Sequence, residues 1–181
     1  VNEDNVINTS HGRFNTDNKS AVLLDRSVIE QNEGDNRITG DSIIYESQSG
    51  HMEGFGDVII NNFKDKVDAR GEYVYYNSEN DSAVITGKAL LIEYSAGDSM
   101  FVHADTFRLV TFYNEARDSV VERQMRGFHK VRAYRIDMQM VADSMVFTTR
   151  DSSLTLYSDP ILWNEENQIL GEKIIFYMND S

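Results

Sequence analysis

The sequence predicts an all-β protein made of stacked two-strand repeats folded over one apolar interior. Three observations carry the prediction. A six-residue phrase, small, acidic, variable, apolar, variable, apolar, recurs as Gly40-Asp41-Ser42-Ile43-Ile44-Tyr45, Gly71-Glu72-Tyr73-Val74-Tyr75-Tyr76, Ala104-Asp105-Thr106-Phe107-Arg108-Leu109, Ala142-Asp143-Ser144-Met145-Val146-Phe147 and Gly171-Glu172-Lys173-Ile174-Ile175-Phe176. The spacing of 29 to 38 residues (171−142 to 142−104) falls where internal repetition signals a stacked array. A second phrase, a small residue leading into an apolar run, follows 16 residues behind the first (56−40, 87−71, 158−142), as Gly56-Asp57-Val58-Ile59-Ile60, Gly87-Lys88-Ala89-Leu90-Leu91 and Ser158-Asp159-Pro160-Ile161-Leu162. Thirdly, apolar residues alternate within each phrase, and period two is the strand period.

Taken in chain order, residues 1–37 fit the template as a degenerate first layer, supplied by Phe14, Ala21 to Leu24 and Val28-Ile29, because terminal repeats often depart from internal ones. The five phrases then place Ile43 and Tyr45, Val74 and Tyr76, Phe107 and Leu109, Met145 and Phe147, and Ile174 and Phe176 on one face. The second-half segments add Val58 and Ile60, Ala89 and Leu91, and Ile161 and Trp163. Between them lie Glu46-Ser47-Gln48-Ser49-Gly50, Asn77-Ser78-Glu79-Asn80-Asp81 and Thr149-Arg150-Asp151-Ser152-Ser153, rich in residues that turn by accepting positive φ or by bonding their own backbone. The single proline, Pro160, opens a second-half strand, where a missing N–H is tolerated.

In the third repeat the match to the second phrase is Ala133-Tyr134-Arg135-Ile136, 29 residues behind Ala104 (133−104) rather than 16. This predicts an insertion of about 13 residues (29−16) within 113–129, whose segment Glu115 to Arg126 could form a short helix or an extended hairpin and is read as a mobile loop. Layers of paired strands repeat about every 4.8 Å, so five or six layers make a stack roughly 25 to 30 Å long.

At 181 residues the chain suits one domain, spanning 1–181, which can bury roughly 70% of its unfolded surface. The absence of cysteine excludes a disulfide scaffold and thiolate chemistry. A net charge of −13 speaks against nucleic acid as a partner, since that affinity rests on Lys and Arg neutralising phosphates. The longest apolar runs, such as Ile174-Ile175-Phe176-Tyr177-Met178, fall far short of the roughly 20 residues of a spanning helix. A start at Val1 and a fifth phrase lacking its second half lead us to expect a longer natural protein.

Residue types that signal chemistry are scattered. His11, His51, His103 and His129 lack the close spacing of a zinc site and read as surface or corner histidines. The recurring acids Asp41, Glu72, Asp105, Asp143 and Glu172 read as outward corner residues that keep each strand turn solvated. Asn77, Glu79 and Asp81 alternate oxygen ligands, yet the glycine and closing glutamate of a calcium loop are missing. Gly54-Phe55-Gly56 lacks the third glycine and following helix of a dinucleotide fingerprint and reads as a strand corner. The Asn-x-Ser/Thr triplets, such as Asn8-Thr9-Ser10, read as chance matches in an Asn-rich chain.

The phrases Ala142-Asp143-Ser144-Met145-Val146-Phe147, Gly56-Asp57-Val58-Ile59-Ile60 and Val67-Asp68-Ala69-Arg70-Gly71-Glu72-Tyr73-Val74-Tyr75-Tyr76, continuing into Ser158-Asp159-Pro160-Ile161-Leu162-Trp163 and Gly171 to Phe176, resemble the OstA-like, LptA-type lipopolysaccharide transport proteins over residues 38–181. The resemblance implies a repetitive folded-over β-jellyroll, or β-taco, in the periplasm of a Gram-negative bacterium, with outer-membrane association a further expectation. It implies a non-enzymatic carrier with no cofactor and no metal. Its partners would be lipopolysaccharide, other Lpt-type β-jellyroll proteins joined end to end by strand pairing, and further copies of itself. The implied acyl-chain lining is Ile43, Tyr45, Val58, Ile60, Val74, Tyr76, Ala89, Leu91, Phe107, Leu109, Met145, Phe147, Ile161 and Trp163. Longer proteins of this type occur in the Bacteroidota, and the expected extension suits them. The insertion and the negative charge depart from the compact members. A β-solenoid scaffold or polysaccharide-acting protein of the cell surface is the alternative, and would call for acidic, His or Arg residues clustered on one external face.

Overall fold

Alternation and turn chemistry produce strands almost everywhere in the computed structural model, which describes residues 5–46, 48–95 and 97–177. Six short strands come first: β1 (Asn5–Asn8), β2 (Gly12–Asn15), β3 (Ser20–Leu23), β4 (Ser27–Gln31), β5 (Asn36–Gly40) and β6 (Ser42–Glu46). Six long ones follow: β7 (His51–Asn62), β8 (Val67–Asn77), β9 (Ser82–Glu93), β10 (Met100–Tyr113), β11 (Val120–Arg135) and β12 (Met138–Thr148). The last four are β13 (Ser153–Tyr157), β14 (Ile161–Asn164), β15 (Asn167–Leu170) and β16 (Lys173–Tyr177). All sixteen belong to one sheet, and every pairing among the described residues is antiparallel. No helix among these residues is long and apolar enough to cross a membrane.

The sheet is folded into two leaves. β2, β3 and β6 lead into one end of each long strand and on to β13 and β16, forming the first leaf. The opposite ends of the long strands, flanked by β1, β4 and β5 and by β14 and β15, form the second. The six long strands cross the corner without interruption. At both ends of the stack the leaves are joined only by short connections, residues 9–11, 24–26 and 41 at one end and 158–160 and 171–172 at the other.

The two repeated phrases are the two strands of each corner. Along β7 the residues Gly56 and Asp57 both have positive φ, and together they oppose the single residue Glu72 of β8. Gly87-Lys88 of β9 opposes Asp105 of β10 in the same way, and His129-Lys130 of β11 opposes Asp143 of β12. Two residues against one is a β-bulge, which bends the strand and increases its twist. The acids fold over the bulge: a Cβ on Gly56 would lie 2.6 Å from Asp41 Oδ2, and one on Gly87 would lie 2.6 Å from Glu72 Cβ. This is why the phrase begins small. Ion pairs lace the outside of the corner, Arg26 to Asp41 at 2.8 Å and to Asp57 at 2.9 Å, Lys88 to Glu72 at 3.5 Å, and Lys130 to Asp105 at 3.2 Å.

The third corner corrects the predicted insertion. Val131, which faces Ala142 across the ladder, takes the place of Val58 and Ala89, so the corner pair is His129-Lys130 rather than a site at Ala133. The excess over 16 is therefore nine residues (129−104−16). They form no loop: they lengthen the β10–β11 hairpin, whose ladder runs out to Tyr113 opposite Val120. Phe112, Val120 and Val121 stand exposed there.

Between the leaves the inward side chains align in rows across the strands. On the first leaf one row runs Leu23, Ile43, Gly54, Val74, Ile85, Phe107, Gly127, Met145, Leu156, Ile174. On the second leaf the matching row runs Ile29, Ile38, Ile60, Ala69, Leu91, Val102, Ala133, Met140, Leu162. Ile43, Val74, Phe107 and Leu156 are fully buried. Burying one such side chain contributes roughly 1.5–3 kcal/mol.

Candidate functional site

The leaves do not close on each other at the side away from the corner. A cleft of about 400 Å³ opens there, within the usual range of small-molecule sites. Met52, Tyr76, Ile85, Phe107, Leu109 and Met125 line it from the first leaf, and Ile38, Ile60, Ala69 and Leu91 from the second. Period-two alternation puts these residues inward, and the bulged corners aim the two leaves at one another.

The predicted interior residues divide by depth. Ile43, Val58, Val74 and Ala89 are buried beneath the cleft as its spine, with Met145 beside them. Ile60, Tyr76, Leu91, Phe107 and Leu109 form cleft wall. Tyr45 and Phe147 pack on the same core and are half-buried. Ile161 and Trp163 correct the prediction, because they lie on the outer face. Leu162, opposite Met140, is the inward residue of β14, and Pro160 is buried at the corner. The inward position directly after the positive-φ pair Ser158-Asp159 is Pro160, as Val58 follows Gly56-Asp57, and reading the strand one residue out of phase moves every side chain to the other face. Trp163 instead joins Phe101, His103, Arg132 and Tyr134 around a shallow outer groove.

Sequence reasoning missed Ile38, Met52, Ala69, Ile85 and Met125. Met52, Ile85 and Met125 lie in the strand half that leads into a bulge, upstream of the second phrase, and Ile38 and Ala69 stand two residues ahead of a first phrase, outside the segments whose alternation the repeat displays. Met52-x-Gly54 before Gly56 and Ala83-x-Ile85 before Gly87 carry the same period.

The mouth of the cleft is polar. On the first leaf Asp81 accepts hydrogen bonds from Thr111 Oγ1 at 3.1 Å and Arg123 Nε at 3.1 Å, with the Tyr76 hydroxyl 3.4 Å away. Burial, then the neighbouring Asp81 carboxylate, pushes the Tyr76 hydroxyl above the usual tyrosine range. On the second leaf Gln31, Asn36 and Asn62 are cross-strand neighbours in consecutive rungs and all line the cleft. The first-leaf exterior beyond the mouth carries Glu122, buried, whose carboxylate accepts from Gln124 Nε2 at 2.6 Å and Thr148 Oγ1 at 2.7 Å. Those two bonds hold it below the ordinary glutamate value.

The titratable residues singled out in the sequence stay apart. His11 pairs with Asp25 at 2.5 Å, His51 with Asn77 at 3.0 Å, and His129 with Asp143 at 3.5 Å, while His103 faces the outer groove. Asn77 Oδ1 accepts from the Glu79 N–H, and Asp81 is committed to Arg123 and Thr111. Among the described residues no group of three or more His, Asp or Glu side chains converges as a metal site.

No protein-family model matches the sequence, and no curated protein matches it. The fold is similar to the crystal structure of LptH, the LptA homologous periplasmic component of the conserved lipopolysaccharide transport device from Pseudomonas aeruginosa. The TM-score is 0.52 at 13% identity, covering 67% of this chain and 81% of that one. The architecture is thus an LptA-like β-jellyroll: one antiparallel sheet, bent along its length and open on one side.

Proposed function

We propose that this protein is a non-enzymatic lipid carrier of the periplasm, holding the acyl chains of lipopolysaccharide in the cleft between its leaves during transport to the outer membrane. The observation that carries the reading is the cleft itself, apolar along both walls and open along one side. Each methylene moved from water into such a lining gains about 0.8 kcal/mol, so a few chains supply affinity without a reactive group. The similarity to a lipopolysaccharide-transport component supports the same reading.

Among the described residues the stack ends in strands with an unpaired edge, β1 and β2 at one end and β15 and β16 at the other. Such edges accept another strand. Joining to Lpt-type β-jellyroll neighbours, or to a second copy, would continue the inward rows from one molecule into the next. Phe14 at the first end and Ile169 at the other share faces with buried Ala21 and Leu162, yet are about half exposed, at 49% and 46%.

Photocrosslinking in cells tests the carrier reading. A photoreactive residue at Tyr76 or Phe147 is expected to capture lipopolysaccharide, and one at exposed Glu79 to capture none. A folded, periplasmic protein that yields no adduct at either interior site would point instead to a surface scaffold.

A further inference from the structure

The interior changes chemistry with distance from the corner, and the change is written in rungs. On the second leaf the apolar row Ile29, Ile38, Ile60 is followed two residues outward along the strands by Gln31, Asn36 and Asn62. The rungs continue through Val67 to Glu93. An amphiphile with its chains against the isoleucines would therefore place its first headgroup atoms against the amides of Gln31, Asn36 and Asn62.

No cation answers them from the lining. Asp81 is the one charged residue among the described residues that line the cleft. The nearby guanidinium, Arg123, is already bound to that carboxylate through Nε at 3.1 Å and Nη2 at 3.0 Å. The Asn62 amide is held by Asp65, donating to Oδ2 and accepting from the backbone N–H, both at 2.8 Å. Gln31 and Asn36 carry no side-chain hydrogen bond among the described residues, which leaves amide donors and acceptors facing the mouth. Lys64 and Lys66 lie on the turn beyond β7, on either side of Asp65 and outside the row. A dianionic phosphate docked against this lining would lose water without gaining a cation from it, and would face Asp81. A hydroxyl-bearing sugar would find donors and acceptors in kind.

We propose that the cleft selects amphiphiles whose headgroup, where it meets the chains, is uncharged and rich in hydroxyls, and that it disfavours phosphate at that position. This rests on the acyl-chain reading above and narrows it to a class of glycolipid.

The test is displacement of phenylnaphthylamine, a fluorescent apolar reporter, from the purified protein by single-chain amphiphiles sharing one dodecyl tail, all below micelle formation at low salt. Dodecyl maltoside is expected to displace it at a concentration about tenfold below that needed for dodecyl phosphate, a difference of about 1.4 kcal/mol. Asn36→Lys or Gln31→Lys, each putting a cation on the lip in place of an amide, should improve dodecyl phosphate severalfold and weaken dodecyl maltoside, so that the tenfold preference shrinks or reverses. Equal or tighter binding of the phosphate by the unaltered protein would overturn the headgroup inference and leave acyl-chain burial standing. So would a preference that neither lysine alters in a folded variant. Failure of every amphiphile to displace the reporter would overturn the carrier reading itself.

Discussion

At Gly87 the chain adopts a φ of +79°, and the space a side chain would take is filled by Glu72. Gly97 has a nearly equal φ of +76°, but a Cβ there would meet nothing within 4 Å. Alanine at the two sites therefore separates backbone strain from collision. Gly97→Ala is expected to lower stability by about 1 kcal/mol and Gly87→Ala by roughly 2–3 kcal/mol, read as shifts in urea midpoint at constant slope. Equal losses would mean that Glu72 moves aside freely. His129 holds the equivalent corner with a φ of +61°, its ring Nδ1 3.5 Å from Asp143 Oδ1. Small, acidic and left-handed are thus one requirement expressed on two neighbouring strands.

Within a single strand, phase decides which side chains the core receives. Leu162→Ala in β14 is expected to cost 2–5 kcal/mol as a buried truncation, while Trp163→Ala on the outer face should cost about 1 kcal/mol or less, both by chemical denaturation. The larger loss at Trp163 would restore the phase first read from the sequence. The strands and corners were legible because the phrase repeats five times, so turn chemistry and alternation reinforced one another. β14 was misread because Ile161-Leu162-Trp163 is apolar throughout, and an unbroken apolar run contains no period. For the hairpin around Asn114 to Ser119 an extended hairpin was one of the open readings, and a loop was preferred for a different reason. Its strands carry Glu122, Arg123, Gln124 and Arg126, polar residues that resemble a loop until cross-strand partners such as Thr148 and Asp81 are in place. The amide rungs at the lip were illegible in principle, since they depend on which strands lie side by side.

Taken whole, the molecule is a stack in which each layer rests on its neighbours, so stability should be graded along it. Hydrogen exchange is expected to show the slowest amides in β8 to β11 and progressively faster exchange toward β1 and β2 and toward β15 and β16. Uniform protection from end to end would mean one cooperative unit. The way the leaves are joined adds a mechanical consequence. In the middle, continuous strands carry the bend, so prising the leaves apart there means straightening bonded ladders. At the ends only short connections and side-chain contacts resist. The trough is stiff at its waist and compliant at its rims, so its gauge is set in the middle and its fit to whatever adjoins it is set at the two ends.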